Sequence, residues 1–215
     1  MNDDRKKAKS IALQKWKLHR RSATIAGCAT LFNAIALKAL GGKSFSLTPF
    51  MSSTAYLSLS SYHGDRAANL LRALSALVMG DILLSGASSL YETEMAGEEP
   101  DVLSLVIAVT APRLEPFSLL NYCLATETRV GRKGMLEHGI RPVEIDLLLL
   151  DEQIVEETRN GIELILPHPY LHRRRSNLMP LAEVAPHLKH PLLGETMEHL
   201  LGAVEDTSAV RVYRK

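Results

Sequence analysis

Apolar and polar residues alternate over residues 54–60, Thr-Ala-Tyr-Leu-Ser-Leu-Ser, which predicts a half-buried strand. The period then lengthens. Ala67, Leu70, Leu71, Leu74 and Leu77 recur at helical spacing over residues 65–77, with Asp65 placed to cap the first turn. Residues 82–91 and 103–110 read as a second and a third strand. Residues 116–130 form a second helix, with Leu119, Leu120, Cys123 and Leu124 on one face. The run 142–150 reads as the central strand. A further strand over 162–166 pairs with 153–155 as a hairpin around Arg159-Asn160-Gly161. Residues 178–185 and 192–201 are short helices.

This order, β-α-β-β-α-β, predicts an α+β fold of the ferredoxin-like plan: an antiparallel sheet with helices packed on one face. The fold proper is expected at 51–215. Residues 1–50 read as a basic and apolar N-terminal extension and linker, with Arg5, Lys6, Lys7, Lys9, Lys15, Lys17, Arg20 and Arg21 ahead of a moderately apolar run. Ile25-Ala26-Gly27-Cys28 resembles a lipoprotein cleavage box, but only three residues separate it from Arg21, too few for an apolar leader core. The run is also short of the roughly 20 apolar residues that span a bilayer. The expectation is a cytoplasmic protein without stable membrane insertion.

Composition adds little. With 215 residues, 46% of them hydrophobic, the chain can bury a core. A net charge of +1 gives no support for nucleic-acid binding. Cys28 and Cys123 are isolated, without metal-ligand spacing, and read as reduced thiols. Oligomeric state is not legible.

The chemistry concentrates between residues 139 and 191. Glu144 and Asp146 stand two apart on a strand, so they project to one side about 7 Å apart at their Cα atoms. Adjacent carboxylates repel unless a cation lies between them. Mg²⁺ takes one or two carboxylates and completes its shell with phosphate oxygens and water. Arg173, Arg174 and Arg175 follow, and guanidinium groups match phosphate geometry. Together these residue types point to phosphoryl transfer. His168 and His172 have the i, i+4 spacing of helical zinc ligands, but Pro169 lies between them and the neighbours are basic, which argues against zinc.

The order Arg141-Pro-Val-Glu144-Ile-Asp146, Pro167-His168-Pro169-Tyr-Leu-His172-Arg-Arg174 and Pro180-Leu-Ala-Glu183-Val-Ala185-Pro186-His-Leu-Lys-His190-Pro191 resembles the 6-hydroxymethyl-7,8-dihydropterin pyrophosphokinases of folate biosynthesis. The resemblance implies a ferredoxin-like fold, ATP as co-substrate, two Mg²⁺ ions, and transfer of pyrophosphate to the pterin with release of AMP. It implies Glu144 and Asp146 as metal ligands. Glu127, Arg141, His168 and Arg174 would contact ATP, and Arg132 and Arg141 would be catalytic, Arg132 on a closing loop. Ser104 and Ser176 fall on pterin-contacting positions.

Several positions depart from the family pattern. Ser60-Ser61-Tyr62 stands where a Gly-Ser-Asn turn is usual, Glu144 replaces an aspartate, and Val102, Ser104 and Ser176 replace groups that hold the ring. Ring contacts would then have to come from Tyr62, Tyr91, Phe117 or Tyr170. The competing readings are a non-catalytic descendant that binds nucleotide or a partner, and a transferase acting on another small acceptor.

Overall fold

A computed structural model describes residues 52–78, 82–95, 101–112, 114–133 and 142–214, the side chains of Pro112, Arg132 and Lys133 excepted, all within the unit Ser44–Lys215. Everything expected of residues 1–50, including the linker at 41–49, lies outside these described residues.

The elements are β1 (Ser52–Ser61), α1 (Arg66–Leu77), β2 (Leu83–Ala87), β3 (Tyr91–Thr93), β4 (Val102–Pro112), α2 (Pro116–Lys133), β5 (Glu144–Leu150), β6 (Val155–Arg159), β7 (Ile162–Leu166), α3 (Arg175–Val184), α4 (Met197–Ala203) and β8 (Val210–Val212). A 3-10 turn, Leu171–Arg173, precedes α3. The main sheet runs β5-β1-β4-β3-β8, with β2 also on β4, and its ladders are antiparallel. The ferredoxin-like expectation therefore holds. The expected helix start holds too, since Asp65 accepts the Ala68 N–H at 3.0 Å. Asn160 and Gly161 take positive φ, 52° and 76°, and join β6 to β7 as the Asn-Gly pair predicts.

Three expectations are corrected. The strand carrying Glu144 and Asp146 is not central: β5 ends the sheet, and β1 and β4 occupy its middle. Its apolar run, read as central-strand character, arises because packed elements cover both of its faces. The strand expected at 82–91 is two strands broken at Ser88. There the Ser88 N–H donates to the Val106 carbonyl at 2.9 Å, and the Ser88 Oγ accepts the Val106 N–H at 3.0 Å. A hydroxyl thus substitutes for one rung of the ladder.

Helices also cover both faces rather than one. Odd positions of β1 and β4, Ala55, Leu57, Leu59, Leu103, Leu105, Ile107 and Val109, pack with Leu70, Ala73 and Leu77 of α1 and Phe117, Leu119, Cys123 and Val130 of α2. On the other face Val106, Leu148 and Leu149 pack with Leu178 and Leu181 of α3 and Met197 of α4, Tyr56 lying against them. Burying one leucine side chain contributes about 1.5–3 kcal/mol. Truncating the fully buried Leu77 or Leu181 to alanine would cost about 2–5 kcal/mol. Gly86 of β2 admits α3 closely; a Cβ there would stand 3.2 Å from Val184 Cγ1.

The second helical layer covers only part of its face. On that face Ser58, Ser60, Ser104, Glu144 and Asp146 share one side through the registers Ser58–Asp146, Ser60–Glu144 and Ser60–Ser104; Ser58 and Ser104 are buried, and the part beyond them, at Glu144 and Asp146, carries the candidate site.

Candidate functional site

Strand β5 gains one residue against β1. Tyr56 pairs with Leu149 and Leu57 with Leu147, so Leu148 is the extra residue of a bulge. Before the bulge, Glu144 and Asp146 point to the open face and Ile145 and Leu147 to the α1–α2 core. After it, Leu149, which unbroken alternation would put opposite the carboxylates, lies in the α3–α4 core instead. The Leu148 carbonyl accepts the His168 N–H at 2.9 Å, which anchors the chain after the cis Leu166–Pro167 peptide beside Asp146.

Two neighbours govern His168 and Arg174. Tyr170 presents its ring to both: the His168 and Tyr170 centroids are 6.1 Å apart, and the Arg174 guanidinium carbon stands 4.9 Å from the Tyr170 centroid. Asp206 accepts the Arg175 N–H at 2.7 Å and so caps the start of α3 next to Arg174.

The electrostatics show that these groups share one field. Burial pushes the Asp146 carboxyl above its ordinary 3.8; His168 opposes that shift, Glu144 reinforces it and Arg174 opposes it. Burial pulls the His168 imidazole below 6.5, Asp146 opposing and Arg174 adding to the fall. Burial, then the nearby Glu144 carboxylate, holds the Tyr62 phenol above 10.0. Asp146 is half-buried while Glu144 is exposed at the rim, so the pair is not enclosed on a buried strand.

The donor set fits magnesium. It offers two hard carboxylates on one face, one of them with its charge disfavoured by its surroundings, which is what a divalent cation would relieve. Among the described residues no three His, Cys, Asp or Glu side chains gather as a ligand set.

The remaining sequence-derived residues divide. Glu127, expected at ATP, is 5% exposed and its Oε1 accepts the Ile145 N–H at 2.7 Å, so it acts through the strand between the two acids. Ser104 lies on the site's face, 4% exposed. Its Oγ and that of Thr93, on the same side of the sheet, are buried with no hydrogen-bond partner among the described residues. Ser176 sits in the first turn of α3, and Pro180, lacking an N–H, frees its carbonyl from the intrahelical ladder. Next to it, Asn177 Oδ1 accepts from Ser58 Oγ at 3.5 Å. The Arg132 side chain and all of Arg141 lie outside the described residues.

Of the aromatic candidates, Tyr62 is at the site, its hydroxyl donating to Glu144 Oε2 at 3.0 Å. Tyr170 supports Arg174. Tyr91 is 7% exposed and donates to Glu183 at 2.7 Å, while Phe117 is buried beneath Arg159 in the opposite layer. Tyr62 is expected at a lost glycine turn and as a ring contact; its bond to Glu144 is not. The signal available was a tyrosine directly after a strand; the register that pairs Ser60 with Glu144 then brings its hydroxyl within reach of the carboxylate.

An antiparallel α+β sheet whose polar end gathers carboxylates, imidazole and guanidinium is suited to holding phosphate groups. The family model described as 7,8-dihydro-6-hydroxymethylpterin-pyrophosphokinase (HPPK) matches residues 56–186, and the chain belongs to that family. It is 30% identical over 167 residues to the 2-amino-4-hydroxy-6-hydroxymethyldihydropteridine pyrophosphokinase of Bacillus subtilis, covering 77% of this chain and 93% of the relative. It is 34% identical over 161 residues to that of Methylorubrum extorquens, covering 74% and 98%. The crystal structure of Plasmodium falciparum HPPK-DHPS with SDX-DHP aligns with a TM-score of 0.58 at 14% identity. That alignment covers 73% of this chain and 45% of the other, and at this identity it bears on the fold alone.

Proposed function

We propose that the protein transfers pyrophosphate from ATP to 6-hydroxymethyl-7,8-dihydropterin, an activity of folate biosynthesis. The observation that carries this reading is the meeting of Glu144, Asp146, His168 and Arg174 on one open end of the sheet in a chain of this family. Glu144 and Asp146 would hold Mg²⁺, as two ions in the family pattern. When bound, the metal supplies charge neutralisation of the phosphates.

The chain's own residues do the rest. Arg174, braced by Tyr170, offers a guanidinium to phosphate oxygens. His168, kept largely neutral by burial, can donate to a phosphate oxygen without adding a charge beside Arg174. Arg132 and Arg141 are read as further phosphate contacts. Ser104, with the buried hydroxyl of Thr93 and the free carbonyl of Ser176, provides polar partners for a flat heterocycle. The pterin hydroxymethyl oxygen attacks the β-phosphorus, the bond from the β-phosphorus to the oxygen bridging it to the α-phosphorus breaks, AMP leaves with that oxygen, and the hydroxyl proton passes to solvent.

Residues 51–215 are read as the catalytic domain and 1–50 as an extension, with a cytoplasmic setting. Among the described residues no helix is long and apolar enough to cross a membrane. The test is AMP formation from ATP and Mg²⁺ with and without the dihydropterin. Dihydropterin-dependent AMP is expected, and its absence in a correctly folded preparation rejects the reading.

A further inference from the structure

The exit of β1 and the entry of β5 are knotted together. Ser61 Oγ donates to the Pro142 carbonyl at 2.7 Å. Asn69 Nδ2 of α1 reaches Ser61 Oγ at 3.1 Å, the His63 carbonyl at 2.9 Å and the Pro142 carbonyl at 3.4 Å. Ser61 and Asn69 are buried, 0% and 4% exposed, and Gly64 turns the loop at φ 67°. This knot holds Tyr62, the residue between Ser61 and His63, two positions beyond Ser60, the strand partner of Glu144. Its hydroxyl donates to Glu144 Oε2 at 3.0 Å.

Glu144 needs such a hold. It is exposed, its neighbour Asp146 carries the same charge, and a glutamate has one more rotatable bond than an aspartate. Left alone, its carboxylate would swing toward solvent and away from Asp146. One oxygen bound to a phenol fixed by a buried knot leaves the other, Oε1, turned to a ligand in a defined place.

We infer that Tyr62 is a positioning residue that fixes the Glu144 carboxylate beside Asp146 for a divalent cation. This rests on the reading that Glu144 and Asp146 hold Mg²⁺. Tyr62 and Glu144 then form one functional unit: the tyrosine supplies the restraint that the longer acid lacks.

The experiment is calorimetry of the full chain with a non-hydrolysable ATP analogue across a Mg²⁺ series. It compares the wild type, Tyr62→Phe, Glu144→Ala and the double variant, with Asp146→Ala as reference. Phenylalanine keeps the ring and the knot, and circular dichroism checks that each variant folds. Tyr62→Phe should raise the Mg²⁺ concentration for half-maximal analogue affinity by about tenfold, the scale of one hydrogen bond to a charged group. It should produce no further shift in the Glu144→Ala background. In turnover, excess Mg²⁺ should restore kcat to Tyr62→Phe. An unchanged Mg²⁺ midpoint in Tyr62→Phe, or an equal shift with and without Glu144, overturns the inference while leaving the metal reading standing. If Glu144→Ala and Asp146→Ala both leave the Mg²⁺ dependence untouched, the metal reading falls and the inference with it.

Discussion

Glu127 reaches from α2 to β5 and takes the N–H of Ile145, the residue between the two acidic positions, at 2.7 Å. A carboxylate buried in the α1–α2 layer thereby holds the backbone that aims Glu144 and Asp146 to the other side of the sheet. Glu127→Ala leaves a buried N–H without its acceptor and should cost about 1–3 kcal/mol in denaturant unfolding. Glu127→Gln keeps a carbonyl acceptor and should recover part of that loss. Both should raise the Mg²⁺ requirement for nucleotide binding, the alanine variant more.

Asp146 is a charge that folding disfavours, by burial and by Glu144 beside it. Its folded pKa lies above the unfolded one, so without metal the ionised group costs stability as pH rises through its titration. Asp146→Asn removes that cost. In metal-free buffer near neutral pH the variant should be more stable by roughly 0.5–2 kcal/mol, seen as a raised thermal midpoint. The same variant should lose Mg²⁺-dependent binding of the ATP analogue in calorimetry. Function and stability therefore move in opposite directions at this residue.

His172 and His190 pack edge to face with ring centroids 5.6 Å apart. Burial lowers both below 6.5, with Arg173 adding at His172 and His172 adding at His190. The unfolded chain thus binds protons more readily at these sites. Stability is full above about pH 6.5 and falls as pH drops through the window below it. Urea midpoints should be flat at and above neutrality and decline in mild acid. His190→Gln should flatten that decline without removing it, since His168 shifts in the same sense.

Tyr170 is half exposed, yet its ring lies under Arg174 at 4.9 Å. A cation–π contact at an exposed site contributes about 0.5–1 kcal/mol. Tyr170→Ala should therefore raise the KM for ATP roughly two- to fivefold, with little change in melting temperature. Steady-state kinetics at saturating pterin measures it.

Much of this arrangement is legible in the residues themselves. The alternation of β1, the Asp65 cap and the Asn160-Gly161 turn are local signals, and each element follows from them. Asp146 and Glu144 share a face because two is the period of a strand. What escaped depends on partners far along the chain. The apolar run of β5 is the same whether a strand is central or at an edge covered by helices. Ser88 breaks a strand only because its hydroxyl finds Val106. Glu127 serves β5, and Tyr62 meets Glu144, through the sheet register and a knot built from Asn69, none of which spacing in the chain discloses.

The extra residue at Leu148 separates two duties within seven residues. Upstream of it the strand shows its acids to solvent; downstream the same side is cemented under a second layer of helices. Were the alternation to run on unbroken through Leu148, Leu149 would turn to the α1–α2 core and Leu150 to the opposite face, and the second helical layer would lose one of its buried leucines. In this strand an imperfection in pairing is what allows chemistry and packing to share one piece of backbone.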